Sequence, residues 1–457
     1  MAQAFFGGVH PHDMKAATNE KAIEQLAPPA VVVIPMSMHF GAPCTPLVKA
    51  GDHVKVGQKI GEFHGLGAPI HASVSGTVKA VEPRPYSMGG NITSVVIEND
   101  MQDEVSEEVQ APADPNALSV EEMVEIVKNA GIVGMGGATF PTHVKITSGI
   151  GKVNTVIING AECEPYITGD HRTMLERPEE IIGGATYLAK MFGVDKVVIG
   201  VEDNKRNGID AMNKVIAEQK APVVVEPLRC RYPQGGEKQL CQAITGRQVP
   251  PGGLPADIGC AVFNINTTCA IYRALTTGMP VVRKIVTVSG SGVVEPKNLE
   301  CPIGTPVSSL LDACGGLKDG TYKLIAGGPM MGMAQYTADI SVAKGTGAIL
   351  AFCENEEKTV ENPQCIRCGK CVSVCPMHLE PLFMYQYASK GMVEELNDAH
   401  IMDCMECGAC SYICPARMHL THMFKTGKQL VKDKAAADRA AAEAKKKAEE
   451  AKEAAAK

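Results

Sequence analysis

Two stretches near the C-terminal end decide the fold: Cys365-Ile-Arg-Cys368-Gly-Lys-Cys371-Val-Ser-Val-Cys375-Pro376 and Cys404-Met-Glu-Cys407-Gly-Ala-Cys410-Ser-Tyr-Ile-Cys414-Pro415. Both read C-x2-C-x2-C-x3-C-P. Three thiolates at that spacing wrap one corner of an iron-sulfur cube, and the fourth, turned away by its proline, reaches the neighbouring cube. Two copies therefore predict two [4Fe-4S] clusters that exchange fourth ligands. Cys365, Cys368, Cys371 and Cys414 are expected to hold one, and Cys404, Cys407, Cys410 and Cys375 the other. A pair of structural zinc sites would use C-x2-C pairs, which explains neither the third cysteine of each run nor the repeated Cys-Pro. Clusters carry single electrons, so the rest of the chain must supply their source.

Working outward, the 457 residues exceed what one core organises and suggest roughly three or four domains. With 45% hydrophobic and 21% charged residues the composition is that of a globular chain, and a net charge of -7 gives no basis for general nucleic-acid binding. Of 17 cysteines, eight belong to the two runs and the others show no disulfide-framework spacing, which points to a reducing, cytoplasmic setting. Met1 to Lys15 has neither the basic flank nor the apolar core of a signal peptide. The apolar runs are strand-sized, so a role at a membrane would be peripheral and depend on integral partners.

Residues 1 to 110 are expected to hold an all-β domain and a linker. Val48-Lys-Ala-Gly51-Asp52 to Gly61, followed by Ala68-Pro69-Ile70-His71 to Val78, resembles the barrel-sandwich domain of biotinyl and lipoyl carriers. The segment Glu62 to Pro69 between the two halves has no lysine to carry a cofactor, so a docking or structural module is expected. His39, His64 and His71 show no paired metal-ligand spacing. Ser119 and Glu122 predict a capping box before a helical apolar face at Val120, Met123, Val124 and Val127, which Gly131 closes. Gly131-Ile-Val-Gly134-Met-Gly136-Gly137-Ala-Thr-Phe140-Pro141 is a glycine loop that lets backbone amides approach a phosphate or flat ring. From Thr155 to Val225 strand-like and helix-like segments alternate in βαβαβ order, the pattern of a parallel sheet with ligands beyond its strand ends. The first strand runs into Asn159-Gly-Ala-Glu162-Cys163-Glu164-Pro165, and Tyr232-Pro-Gln-Gly235-Gly236-Glu237 and Asn264-Ile-Asn266-Thr267 again place glycines beside polar groups. Cys163, Cys241 and Cys269 have no histidine spaced as a nucleophile's partner and read as small buried residues.

These four blocks, in this order, resemble the flavin-binding, NADH-oxidising subunit of respiratory complex I and related hydrogenases and formate dehydrogenases. The order of the whole chain resembles the C-subunit family of the Rnf ion-translocating ferredoxin:NAD oxidoreductases, whose members open with a segment like Phe6-Gly7-Gly8-Val9-His10-Pro11. The resemblance implies a multidomain α/β plus β protein. Its parts would be a barrel-sandwich domain, a parallel-sheet FMN/NAD domain (111–282), a soluble-ligand-binding β-grasp domain (283–353) and a helical two-cluster ferredoxin domain (354–430). A helical Ala/Lys/Glu-rich tail (431–457) lies outside the resemblance. It further implies that Gly134, Gly136, Gly137 and Lys145 cradle FMN, with Asn159, Glu162, Tyr232, Gly235, Asn264, Asn266 and Thr267 also contacting it. Phe140, Glu164 and Glu237 would face the nicotinamide nucleotide. Implied partners are NAD(H), the integral membrane and iron-sulfur or flavin subunits of the same complex, and ferredoxin indirectly, at the cytoplasmic face of the membrane. Ala161 stands where complex I has an aspartate, and the adenine-stacking aromatics are not found at Thr147-Ser148 or Gly252-Gly253. The same domain order occurs in cobalamin reductases, and an electron relay that has lost its flavin also fits these residues.

Overall fold

The computed structural model describes residues 4–354 and 360–455. The chain divides into two compact units, one spanning most of residues 10–357, the other formed by Phe5–Val9, Pro250–Gly252 and the residues from 358 onward.

In the first unit, valine-rich alternation gives two facing β-layers. One has the strand order Val31–Pro35, Asn91–Asn99, Gly76–Pro85, His53–Val54; the other runs Thr45–Pro46, Lys59–Glu62, Ile70–His71. Val32, Ile34, Ile60, Ile70, Val78, Val95 and Ile97 fill the space between them and are nearly solvent-free. Gly76 has φ +148°, and a side chain there would collide with the Glu98 carbonyl, so glycine is required at that bend.

The next module begins with the helix Val120–Asn129, on which the Ser119/Glu122 capping box forms as the sequence predicts. Its sheet is wholly parallel, in the order Val223–Leu228, Val197–Glu202, Thr155–Gly160, Cys260–Asn264. Parallel pairing with helices on the faces explains the unbroken apolar strands Val156, Ile157, Ile158 and Val197, Ile199, Val201, all buried. Register places Asn159 opposite Asn264, side by side at the carboxyl ends of adjacent strands.

The third module is a mixed six-stranded sheet ordered Glu24–Gln25, Lys297–Pro302, Arg283–Ser289, Ala348–Cys353, Thr321–Ala326, Met333–Gln335. The helix Val307–Ala313 brings Val307, Leu310 and Leu311 into its core. Its edge strand Glu24–Gln25 comes from the N-terminal segment, parallel to Leu299 and Glu300. The N-terminal hundred residues therefore supply both layers of the barrel and one edge strand of this six-stranded sheet.

The second unit is helical. Pro381–Ser389 and Val393–Asp398 lie between the cysteine runs and pack on the helix Leu420–Ala455. Leu420 and Phe424 enter the apolar cluster with Met384, Leu396 and Ile401, and Val431 packs against it. The helix is continuous through residue 431, where composition alone suggested a boundary. Spacing explains this: 420, 424 and 431 share a face, and beyond them the side chains through 447 are exposed.

Candidate flavin and cluster sites

The two cysteine runs adopt the same backbone conformation twice. Arg367 and Gly369 take left-handed φ values of 54° and 74°, and Glu406 and Gly408 take 58° and 77°. After each Cys-Pro the chain turns again through a left-handed residue, His378 at 55° and Arg417 at 56°. These turns curl each run around a hollow. Backbone N–H groups of Arg367, Leu379 and Glu406 donate to the sulfurs of Cys365, Cys375 and Cys404, each at 3.4 Å, an arrangement suited to thiolates.

A cavity of about 230 Å³ is lined by Cys365, Cys368, Cys371 and, from the other run, Cys414. A second, tighter cavity of about 20 Å³ is lined by Cys404, Cys407, Cys410 and Cys375. Thus each hollow gathers three thiols from one run and the fourth from the other. None of the eight is in a disulfide. Cys365 and Cys368 are exposed, whereas Cys375, Cys407 and Cys410 are buried. Burial pushes the Cys404 thiol up to about 11 and the Cys407 thiol up to about 12. On the last helix, Lys428 donates to the Cys404 carbonyl and to the Glu406 carboxylate at 2.8 Å, pinning the second run's first turn.

The other candidate site lies at the carboxyl end of the parallel sheet. The glycine loop is closed by Gly134 N–H donating to the Phe140 carbonyl at 2.9 Å. Thr267 props it from behind, its hydroxyl accepting from Met135 N–H at 2.9 Å and donating to the Val133 carbonyl at 3.2 Å. A side chain at Gly136 would sit 2.8 Å from the Asn264 amide nitrogen, while one at Gly137 would meet nothing within 4 Å. The loop is therefore tight against the sheet on one side and open on the other. The Phe140 ring tilts toward Phe40, centroids 6.0 Å apart.

Asn159 donates to the Gly235 carbonyl at 2.8 Å and accepts from Ala161 N–H, which ties the first strand end to the tyrosine-glycine segment. Asn264 and Asn266 both donate to Asp170, at 2.8 and 2.5 Å. Lys145 is ion-paired with Glu237 at 2.7 Å and donates to the Val262 carbonyl. The buried Tyr232 donates its hydroxyl to Glu164 at 3.3 Å. Glu162 and Glu164 face different neighbours. The Glu162 carboxylate accepts from Asp170 and His171 N–H, anchoring the start of the helix Gly169–Glu176, where the helix dipole favours an anion. Glu164 accepts from Met330 and Met331 N–H at 3.1 and 3.0 Å, so a β-grasp turn occupies the carboxylate expected to face nicotinamide. That turn fits only because residue 328 is glycine: a Cβ there would lie 2.2 Å from the Glu164 carboxylate.

Burial pushes the carboxyls of Glu162 and Glu164 up to about 7, and that of Asp170 up as well, against the opposing pull of Lys15. It also pushes Lys284, which faces Asp170, down to about 8. Sequence reasoning missed Asp170, Lys284, Lys15 and Lys205. Asp170 carried one usable signal, a carboxylate in the first turn of a helix that starts just beyond the polar strand end. Lys15 and Lys284 carried none, because the groups they face are distant in sequence, whereas Lys205 pairs with Glu202 three residues before it but reaches the Ala161 carbonyl 44 positions away.

These residues suit a flavin mononucleotide: the loop is open at Gly137, and the buried Gln234 amide nitrogen alongside Gly235 has no hydrogen-bond partner among the described residues. Comparison with known proteins agrees. Residues 127–273 match the Nuo51 FMN-binding domain, 3–102 the RnfC barrel-sandwich hybrid domain, 285–334 the SLBB domain and 357–415 a 4Fe-4S dicluster domain. The C subunit of the Na(+)-translocating ferredoxin:NAD(+) oxidoreductase complex of Acetobacterium woodii is 45% identical over 87% of this chain and 90% of its own length. The chain belongs to the RnfC family. Among other RnfC relatives, the C subunit of the proton-translocating complex from Clostridium ljungdahlii is 43% identical over 88% of each chain. That of the ion-translocating complex from Rhodobacter capsulatus is 41% identical over 82% of this chain and 73% of its own. A chain of the NAD+-reducing [NiFe]-hydrogenase, 18% identical, superposes with a TM-score of 0.50 over 70% of this chain and 63% of its own, which shows a common fold. This RnfC chain is therefore an oxidoreductase-complex subunit with an FMN-binding domain and a dicluster domain.

Proposed function

We propose that this chain exchanges electrons with NAD(H) through FMN held at the carboxyl end of the parallel sheet, and relays them singly through two [4Fe-4S] clusters to or from partner subunits of an ion-translocating complex. The observation that carries the reading is that one chain combines the Asn159/Asn264 strand ends facing an open glycine loop with two four-thiol hollows. Bound FMN supplies the conversion between paired and single electrons, which neither a nicotinamide nor a cluster makes alone.

The protein's own groups would act as follows. The open side of the Gly134–Gly137 loop and Gln234 present backbone and amide donors to the flavin, and Lys145 adds a cation that its pairing with Glu237 holds in place. Asn264 and Asn266, oriented by Asp170, give the site its floor. Glu237, about 40% exposed at its side chain, and Phe140 stand where a nucleotide could reach them. Glu164 acts through the β-grasp turn it holds. Cys365, Cys368, Cys371 and Cys414 would ligate one cluster, and Cys404, Cys407, Cys410 and Cys375 the other. No helix among the described residues is long and apolar enough to cross a membrane. The ion path is accordingly assigned to other subunits of the complex, and this chain to the cytoplasmic face, where it would meet NAD(H).

The test is turnover by the full chain loaded with FMN and clusters. NADH should reduce ferricyanide, and Glu237→Gln or Phe140→Ala should slow this while flavin stays bound. Loaded protein that is not bleached by millimolar NADH would sink the NAD assignment; a donor linked to cobalamin that bleaches it instead would favour the reductase reading.

A further inference from the structure

The turn after the first parallel strand, Ala161 to Ile167, is held by a residue far from it in sequence. Lys15 is buried, and its ammonium donates to the carbonyls of Glu162 and Glu164, both at 3.0 Å, and to that of Ile167, with the Glu162 carboxylate 3.8 Å away. Three carbonyls on one nitrogen call for three N–H donors, which only the charged form has. The segment bearing Lys15 lies across the turn as a strap. Tyr166 N–H donates to the Asp13 carbonyl at 2.8 Å, Thr18 and Thr168 share a hydroxyl hydrogen bond of 2.7 Å, and Arg172 and Asn298 donate to the carbonyls of Asn19 and Thr18. Lys205 completes the arrangement from the other side, donating to the Ala161 carbonyl at 2.7 Å. Inside the turn, Glu162 and Tyr166 both take left-handed φ values, 46° and 68°, that side-chain-bearing residues avoid. Something must hold them there.

We propose that Lys15 is a positioning residue of the flavin site: its ammonium gathers the carbonyls of the Glu162–Ile167 turn and so fixes where the Glu162 and Glu164 carboxylates stand. This rests on the reading of the site as an FMN site. With Lys15 in place, Glu162 can anchor the helix whose Asp170 orients Asn264 and Asn266, and Glu164 can hold Met330 and Met331. The strap, the strand end and the β-grasp turn thus share one cation.

Lys15 also sets the charge balance of the site. Facing it are Glu162 and Cys163 from the turn, Glu202 from the end of the second strand, and Lys205 just beyond that strand. Its charge bears on Glu164 and Asp170 too, and Lys284 faces Asp170 from the β-grasp sheet. Removing the Lys15 charge should raise the proton affinity of all three carboxyls at once.

The experiment is FMN titration of the cluster-loaded full chain by flavin fluorescence from pH 5.5 to 8.5, for wild type, Lys15→Met and Lys15→Arg, with melting curves alongside. Loss of charge-assisted hydrogen bonds predicts an FMN Kd weakened by roughly tenfold or more in Lys15→Met and largely restored in Lys15→Arg. The midpoint of the pH dependence should move to higher pH in Lys15→Met and stay in Lys15→Arg. A role in stability alone would weaken binding alike at every pH. If Lys15→Met does not fold, Lys15→Gln, which keeps N–H donors but no charge, should show the same pH displacement. Unchanged affinity and midpoint in the neutral variants, or equal effects in Lys15→Arg and Lys15→Met, overturn the proposal. Wild-type protein that binds no FMN overturns instead the functional reading beneath it.

Discussion

Crossed ligation of the two clusters can be tested by combining cysteine variants. Each hollow draws its fourth thiol from the opposite run, so Cys414 belongs with Cys365, Cys368 and Cys371 although 43 residues separate it from Cys371. Anaerobically reconstituted wild type should carry about eight iron and eight sulfide per chain, and Cys368→Ala or Cys414→Ala alone about four. The pairs discriminate. Cys368→Ala with Cys414→Ala damages one hollow twice and should still carry about four iron, whereas Cys407→Ala with Cys414→Ala damages both and should carry almost none. Iron and labile-sulfide assays, with electron paramagnetic resonance of the reduced protein, read the result. If Cys407→Ala with Cys414→Ala keeps half the iron and Cys368→Ala with Cys414→Ala keeps none, each run holds its own cluster and the reasoning is wrong. Zinc without labile sulfide would remove the cluster reading altogether.

Asp170→Ala should weaken FMN binding by about 1.5–3 kcal/mol, since it removes the charged acceptor that orients Asn264 and Asn266, and should leave iron content unchanged; fluorescence titration measures it. Glu164 provides a pH test. Its carboxyl is raised from 4.5 to about 7 in the folded protein, so the folded state binds the extra proton between those values. Stability from this group is complete below pH 4.5 and is lost as pH rises through 7, at no more than about 1.4 kcal/mol per pH unit. Denaturant unfolding at pH 5, 6, 7 and 8 should accordingly show wild type losing ground to Glu164→Gln as pH rises, and a constant difference would count against it. Phe424→Ala should cost the helical unit about 3–5 kcal/mol, because the ring is 1% exposed in its apolar cluster, and should be seen as faster iron loss on warming.

What the sequence disclosed depended on how far apart the interacting residues are. The cysteine runs were legible because spacing alone sets local geometry, and the left-handed turns at Arg367, Gly369, Glu406 and Gly408 repeat it residue for residue. The parallel sheet was legible because both faces of Val156–Ile158 and Val197–Val201 are covered, which leaves an unbroken apolar signature. Polar groups at its strand ends were visible too, though not their partners. Asn264 and Asn266 meet Asp170 some ninety positions away, and Lys15 meets its carbonyls about 150 away. A lysine bound for the interior looks like any other until the fold supplies oxygens around it. The strand Glu24–Gln25 was invisible for another reason: two exposed polar residues carry no alternation, and only the neighbouring Leu299–Glu300 backbone makes them a strand.

The buried charges at the strand ends explain why so many distant residues converge there. Ionised groups persist in an interior only when paired and hydrogen-bonded. Lys15 is set against Glu162, Lys205 against Glu202 at 3.1 Å, and Lys284 faces Asp170, so three ammonium groups match three carboxylates. Glu164 is the odd one out. It is held by two backbone amides and a tyrosine hydroxyl, with Lys15 acting on it only from a distance. Burial therefore raises its carboxyl to about 7 with no ammonium paired directly against it. Through the carboxylate of Glu164, whose backbone carbonyl Lys15 holds, one turn of the β-grasp module is tied to the strand ends of the parallel-sheet module.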